Sequence, residues 1–169
     1  MTSSQRSLML PPKRRATWTR IASLLRPSKI LTPDEWGATN REYPKTAAVP
    51  GKRDPYLTPY IVEPERAIAS GASKRIVMVF AAQTGKTEAM LDVAGHRLDQ
   101  KPGPILYVSP NKQFLSEQFE PRVMALLDEA PTLASKVARG KRMTKTRKVI
   151  AGVPFRLAHA GCAPEPRNI

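Results

Sequence analysis

The chain has 169 residues, 41% of them hydrophobic, which suits one domain with a real core plus a tail. Its 28 Lys and Arg against 14 Asp and Glu give a formal net charge of +14, which points to a polyanionic partner; a surface left unbalanced for want of an acidic partner segment is the plainer alternative. A single cysteine, Cys162, excludes an intramolecular disulfide framework and any multi-cysteine metal cluster, and no stretch reaches the roughly 18 consecutive apolar residues of a membrane span. The cytoplasm is the expected compartment.

Residues 1–31 read as a basic, weakly ordered arm, with Lys13, Arg14, Arg15, Arg20 and Arg26 around a short apolar cluster of Trp18, Ile21, Leu24 and Leu25. An organellar transit peptide has a similar composition, but Pro11, Pro12 and Pro27 interrupt the amphipathic helix it needs. "TPDEWGATNREY" predicts a helix of about two turns, with Thr32 as N-cap, Pro33 at the first position, and Asp34 and Glu35 near its positive end. Its Trp36 is expected to pack on the core.

Five prolines between Pro44 and Pro64 make a turn-rich connector, after which a short helix runs from Pro64 and stops at Gly71. "KRIVMVFAA", residues 74–82, is an unbroken apolar run of the kind found in a buried strand. A helix over 85–100, with Ala89, Met90, Val93 and Leu98 inward, and a second apolar strand in "GPILYVSPN" complete a strand, glycine turn, helix, strand order. That order predicts a right-handed βαβ unit whose glycine turn lies at the carboxyl end of the first strand, where such folds bind ligands. The helix after Asn111 is expected to break or restart near Pro121, with Phe119, Val123, Leu126 and Leu127 on one face, and "KRMTKTRKVIAGVPFRLAHAG" predicts a hairpin.

The chemistry concentrates in "AAQTGKT". In a phosphate loop, backbone N–H groups at a turn and the positive end of the next helix converge on phosphate oxygens; a lysine reaches the terminal phosphates and the following hydroxyl ligates Mg²⁺. Gly85, Lys86 and Thr87 fit those three roles, but the glycine expected five places before Gly85 is Phe80, so only the shorter form of the motif is present. An ordinary strand-to-helix turn capped by Thr84 or Thr87 is the alternative.

"TPDEWGATNREYP", "TPYIVEPERAI", "AAQTGKTEAML", "ILYVSPN" and "FLSEQFEPRVMALLDEAPTLASKV" occur in an order and spacing that resemble the N-terminal ATPase region of bacteriophage terminase large subunits of the GpA type, over residues 32–160. The resemblance implies an incomplete P-loop NTPase core of helicase-like α/β type, with a mostly parallel sheet and flanking helices. It implies a DNA-packaging motor that uses ATP and Mg²⁺, acts on double-stranded phage DNA with a small terminase subunit and a portal, and carries an endonuclease domain further on. Proteins of this family commonly lack the leading glycine. Carried over by position, Ala82, Gln83, Thr84 and Gly85 shape the loop, Lys86 contacts the terminal phosphates, Thr87 contacts the phosphates and Mg²⁺, and either Tyr60 or Tyr56 packs near the base.

"VMALLDEAP" has the apolar run and acidic pair of a Walker B strand, but its helical period from Phe119 assigns Asp128 and Glu129 to the solvated end of a helix. The resemblance places the acidic strand after "VPFRLAHAG", where this sequence departs into "CAPEPRNI"; residues 161–169 are therefore expected to be an aberrant tail on a truncated ATPase that binds ATP and hydrolyses it poorly or not at all. His96 and His159 are expected to be ordinary surface or packed residues. Lys141, Arg142, Lys145, Arg147 and Lys148 would share a basic hairpin that tracks a phosphate backbone or is merely solvated. Two rival functions stay open: a small complete ATPase or kinase using Asp128 and Glu129, and a non-enzymatic basic DNA-binding module.

Overall fold

The computed structural model describes residues 30–43, 49–137 and 143–161. Residues 1–29 of the basic arm, Lys141 and Arg142 of the basic stretch, and residues 162–169 of the tail lie outside them.

Helix α1 (Pro33–Asn40) forms where its start signals place it: Pro33 opens it and the Glu35 carboxylate accepts the N–H of the N-cap Thr32 at 3.2 Å. Two short strands, β1 (Glu42–Tyr43) and β2 (Gly51–Lys52), pair antiparallel. A 3₁₀ turn over Pro55–Leu57 follows, capped by the Asp54 carboxylate, which accepts the Tyr56 N–H at 2.9 Å. Helix α2 (Pro59–Ser70) starts five residues earlier than expected, because Pro59, rather than Pro64, takes the first position. Pro64 sits inside the helix without an N–H to donate, and α2 ends at Gly71, whose φ of 69° is the left-handed conformation a helix C-terminus favours.

Helix α3 (Lys86–Gln100) is the centre of the molecule. A Cβ on its Gly95 would lie 2.2 Å from the Trp36 ring, and a Cβ on Gly37 of α1 would lie 2.7 Å from the Asp92 carboxylate of α3. These two glycines let α1 and α3 approach closely, with Trp36 fully buried between them and its indole N–H donated to Asp99 at 2.8 Å. The buried face of α3 carries Ala89 and Leu98 as expected, together with Leu91, Asp92 and His96. Met90 and Val93 are only half-buried and line a cavity of about 440 Å³ between α2, α3 and the sheet.

Strand β3 (Ile105–Ser109) leads into three successive helical segments: α4 (Lys112–Phe114), a π turn (Leu115–Phe119) and α5 (Glu120–Glu129). The π turn is the break expected near Pro121. The proline cannot donate to the carbonyl of Glu117 and crowds it, and the wider turn relieves both. Phe119, Val123, Leu126 and Leu127 are buried on one face, with Phe119 stacked on Tyr107 of β3 at 3.5 Å between centroids. A short α6 (Pro131–Ala134) precedes the expected hairpin, β4 (Arg147–Ile150) and β5 (Val153–His159), which turns on Ala151 and Gly152, both with positive φ.

The main sheet has the order β3-β5-β4, with β3 parallel to β5 and β5 antiparallel to β4. It is a small mixed sheet rather than a mostly parallel one. The first strand of the expected βαβ unit is not formed: residues 75–81 have no strand assignment, and Val77 and Val79 are 75% and 88% exposed. The segment alternates half-buried and exposed side chains as a strand does, yet among the described residues no neighbouring strand supplies the ladder hydrogen bonds that would make it one. A continuous apolar run signals strand propensity but says nothing about which strand lies beside it.

Candidate functional site

The loop from Ala81 to Gly85 joins this unpaired segment to α3. Thr84 Oγ1 donates to the Ala81 carbonyl at 2.9 Å, Gln83 takes φ 56° and Gly85 φ 81°. Gly85 is the N-cap of α3 and offers no side-chain cap. The Ala89 N–H to Gly85 carbonyl bond, 3.0 Å, is the first turn closure of the helix, so the N–H groups of Lys86, Thr87 and Glu88 have no acceptor within it. Three orphan donors at the positive end of a 15-residue helix suit a multiply charged anion.

Lys86 is folded back over the loop, with Nζ donating to the carbonyls of Phe80, at 3.3 Å, and Ala81. The ammonium therefore lies within the loop, held among the described residues by carbonyl dipoles alone, and phosphate oxygens are stronger acceptors than these carbonyls. Thr87 is half-buried in the next position. Phe80 occupies the place of the missing glycine: its carbonyl receives Lys86 and its ring meets Tyr60 at 5.9 Å between centroids. Tyr60 also donates its hydroxyl to the Thr84 carbonyl at 3.3 Å, whereas Tyr56 is 79% exposed. The first turn of α2 thus backs the loop, and Ile61 comes within 3.0 Å of where a Cβ on Gly85 would be.

A buried ion network steadies the helix behind the loop. Arg41, at the C-cap of α1, reaches Glu88 Oε2 at 2.6 Å, the Glu88 carbonyl at 3.3 Å and Asp92 Oδ1 at 2.5 Å. Burial opposes the Arg41 charge, but Asp92 and Glu88 together hold its pKa above the ordinary guanidinium value. Arg53 closes on the other oxygen of Asp92 at 3.0 Å, and Arg122 of α5 approaches Glu88 at 3.6 Å. Nearby, Glu65 is 1% exposed, and neither carboxylate oxygen has a hydrogen-bond partner among the described residues. Burial, with Asp92 and Asp34 adding to it against Arg53 and Arg41, pushes its pKa up to about 8. The network cannot be singled out from the sequence, because Arg41 and Arg53 come from segments far from the Glu88 and Asp92 turn of α3 that they pair with.

The other candidates separate. Asp128 and Glu129 lie at the exposed end of α5, as the helical period requires, and burial of the ring is why His96 is held below the ordinary imidazole range while it bonds the Leu31 carbonyl at 2.8 Å. Lys145 and Arg147 are exposed on the hairpin. Lys148 is not available to a nucleic acid: the two-residue strand period turns it inward, where it is 2% exposed and pairs with Glu120 at 2.7 Å. Among the described residues no cluster of His, Cys, Asp and Glu could hold a metal ion, and no helix is long and apolar enough to cross a membrane.

A mixed α/β unit with a glycine turn at the head of a long, firmly braced helix is compatible with the ATPase class of domain. The chain belongs to the family of the phage terminase large subunit gpA ATPase domain, whose sequence model matches residues 47–168. That match includes the loop, α3 and the whole main sheet, and begins after the α1 motif. No curated protein and no solved structure matches the chain.

Proposed function

We propose that this chain is the nucleotide-binding part of an ATP-driven phage DNA-packaging motor, with residues 82–87 as its phosphate loop. The observation that carries the reading is the loop's donor set: Lys86 inside the turn, with the unpaired N–H groups of Lys86, Thr87 and Glu88 at the head of α3. These residues fit the terminal phosphates of ATP, and Thr87 fits the Mg²⁺ that accompanies them. The bound nucleotide would supply the phosphoryl group whose transfer drives such motors. The chain's own residues orient it: the loop N–H groups bind the phosphates, Lys86 trades its carbonyl acceptors for phosphate oxygens, and Tyr60 flanks the loop. Membership of the terminase family supports double-stranded DNA as the polymer acted on, with a small terminase subunit and a portal as assembly partners.

Equilibrium binding of Mg-ATP tests the reading. Lys86→Ala is expected to weaken binding at least tenfold while leaving the melting temperature unchanged, because Lys86 holds only loop carbonyls. Equal affinity in the variant would remove the loop from the site.

A further inference from the structure

We propose that the exposed face of the β4–β5 hairpin is a binding surface for the phosphodiester backbone of nucleic acid, centred on Arg147 and Arg156. The two residues are register partners across the antiparallel pair, and both are exposed, so their guanidinium groups share one face of the sheet. Side chains directly opposite stand about 5 Å apart at Cβ, and like charges so placed repel. Neither arginine has an ion-pair partner among the described residues. Glu120, which lines the same cleft, is engaged by the buried Lys148.

Lys145 and Lys112 line, with the pair, a cleft of about 570 Å³ that Leu106 and His159 also line. Four cations line it, and the one carboxylate that lines it among the described residues, Glu120, is taken by Lys148, an arrangement that an anion relieves. Two guanidinium forks side by side match the oxygens of one phosphate or of two neighbours along a strand. Among the described residues no Phe, Tyr or Trp lines the cleft, so binding is expected through the backbone and not through stacked bases, tolerant of sequence and sensitive to salt. Arg156 escapes a reading by charge runs because its sequence neighbours are apolar; only the register with Arg147 exposes the pair. The inference rests on the DNA partner proposed above and gives it a surface, and it is independent of the phosphate loop.

The test is fluorescence anisotropy of the full chain with an arbitrary-sequence DNA duplex, without nucleotide, from about 50 to 200 mM salt. Arg147→Gln/Arg156→Gln is expected to weaken binding at least tenfold and to flatten the plot of log affinity against log salt by about 2, at about 0.9 for each phosphate no longer neutralised. Arg147→Lys/Arg156→Lys is expected to keep the slope. Thermal unfolding of the Gln variant should match or exceed the wild type, since a repulsion has been removed. Binding by the wild type with a slope that the Gln variant leaves untouched overturns this surface alone. Absence of duplex binding in the wild type overturns it together with the DNA partner.

Discussion

Lys86 and Glu65 show how differently single residues can be read. Lys86 is legible because the phosphate-loop pattern attaches chemistry to a position, and the structure puts its ammonium inside the loop turn. Glu65 is not, since a glutamate in "EPERAI" has nothing to mark it as buried until α2 packs against α1 and α3. Its folded pKa of about 8 lies above the ordinary 4.5, so the folded state binds more protons than the unfolded chain between those values. The stability this group permits is fully present below pH 4.5 and is lost as the pH rises through about 8. Glu65→Gln is therefore expected to match the wild type at low pH and to be more stable above pH 8, by an amount on the order of a few kcal/mol. Urea midpoints across pH check this; parallel pH profiles for the two proteins would show that Glu65 is ionised or solvated in the fold.

Among the elements, α1, α5 and the β4–β5 hairpin can be read from caps, helical period and turn residues, which are local signals. The partners of α3 cannot. Its apolar residues suggest one inward face, but the closest packing is set by Gly95 and Gly37, which have no side chains to show in a periodicity count. Gly95→Ala is expected to cost about 1–3 kcal/mol, because its Cβ would overlap the Trp36 ring that also anchors Asp99. A denaturant midpoint close to the wild type's would mean that α1 is not seated on α3 in this way. Glu129 has a minor part: its carboxyl feels Arg41 and Glu88 but stays exposed at the end of α5. Glu129→Gln is expected to leave Mg-ATP affinity within about twofold of the wild type, as an exposed helix end would, and a large loss would revive the acidic pair as part of the site.

For the whole molecule, the α/β class and the terminase family are legible, and the arrangement of strands is not. Strand order depends on which backbone edges meet, and "KRIVMVFAA" has the apolar content of a buried strand whether or not a neighbour is there to pair with it. Among the described residues one face of the sheet is covered: Phe155 and Leu157 are buried towards the π turn and α5, while Leu106 and Val108 on the opposite face are 64% and 55% exposed. Val77→Thr/Val79→Thr is expected to change stability by less than about 0.5 kcal/mol, the range of ordinary surface substitutions. A loss of several times that would mean that the segment is buried in a sheet in solution. Seating the loop between an unpaired segment and a braced helix leaves α3 as its firm wall, with Arg41 and Glu88 holding the first turn in place.

The most direct measurement is amide hydrogen exchange over residues 82–89 with and without Mg-ATP. The proposed site requires that the N–H groups of Lys86, Thr87 and Glu88, which lack acceptors in the helix, become strongly protected when nucleotide is bound, while the core amides of α5 stay as they were. Unchanged exchange at those three positions under saturating Mg-ATP would contradict a phosphate loop at the head of α3.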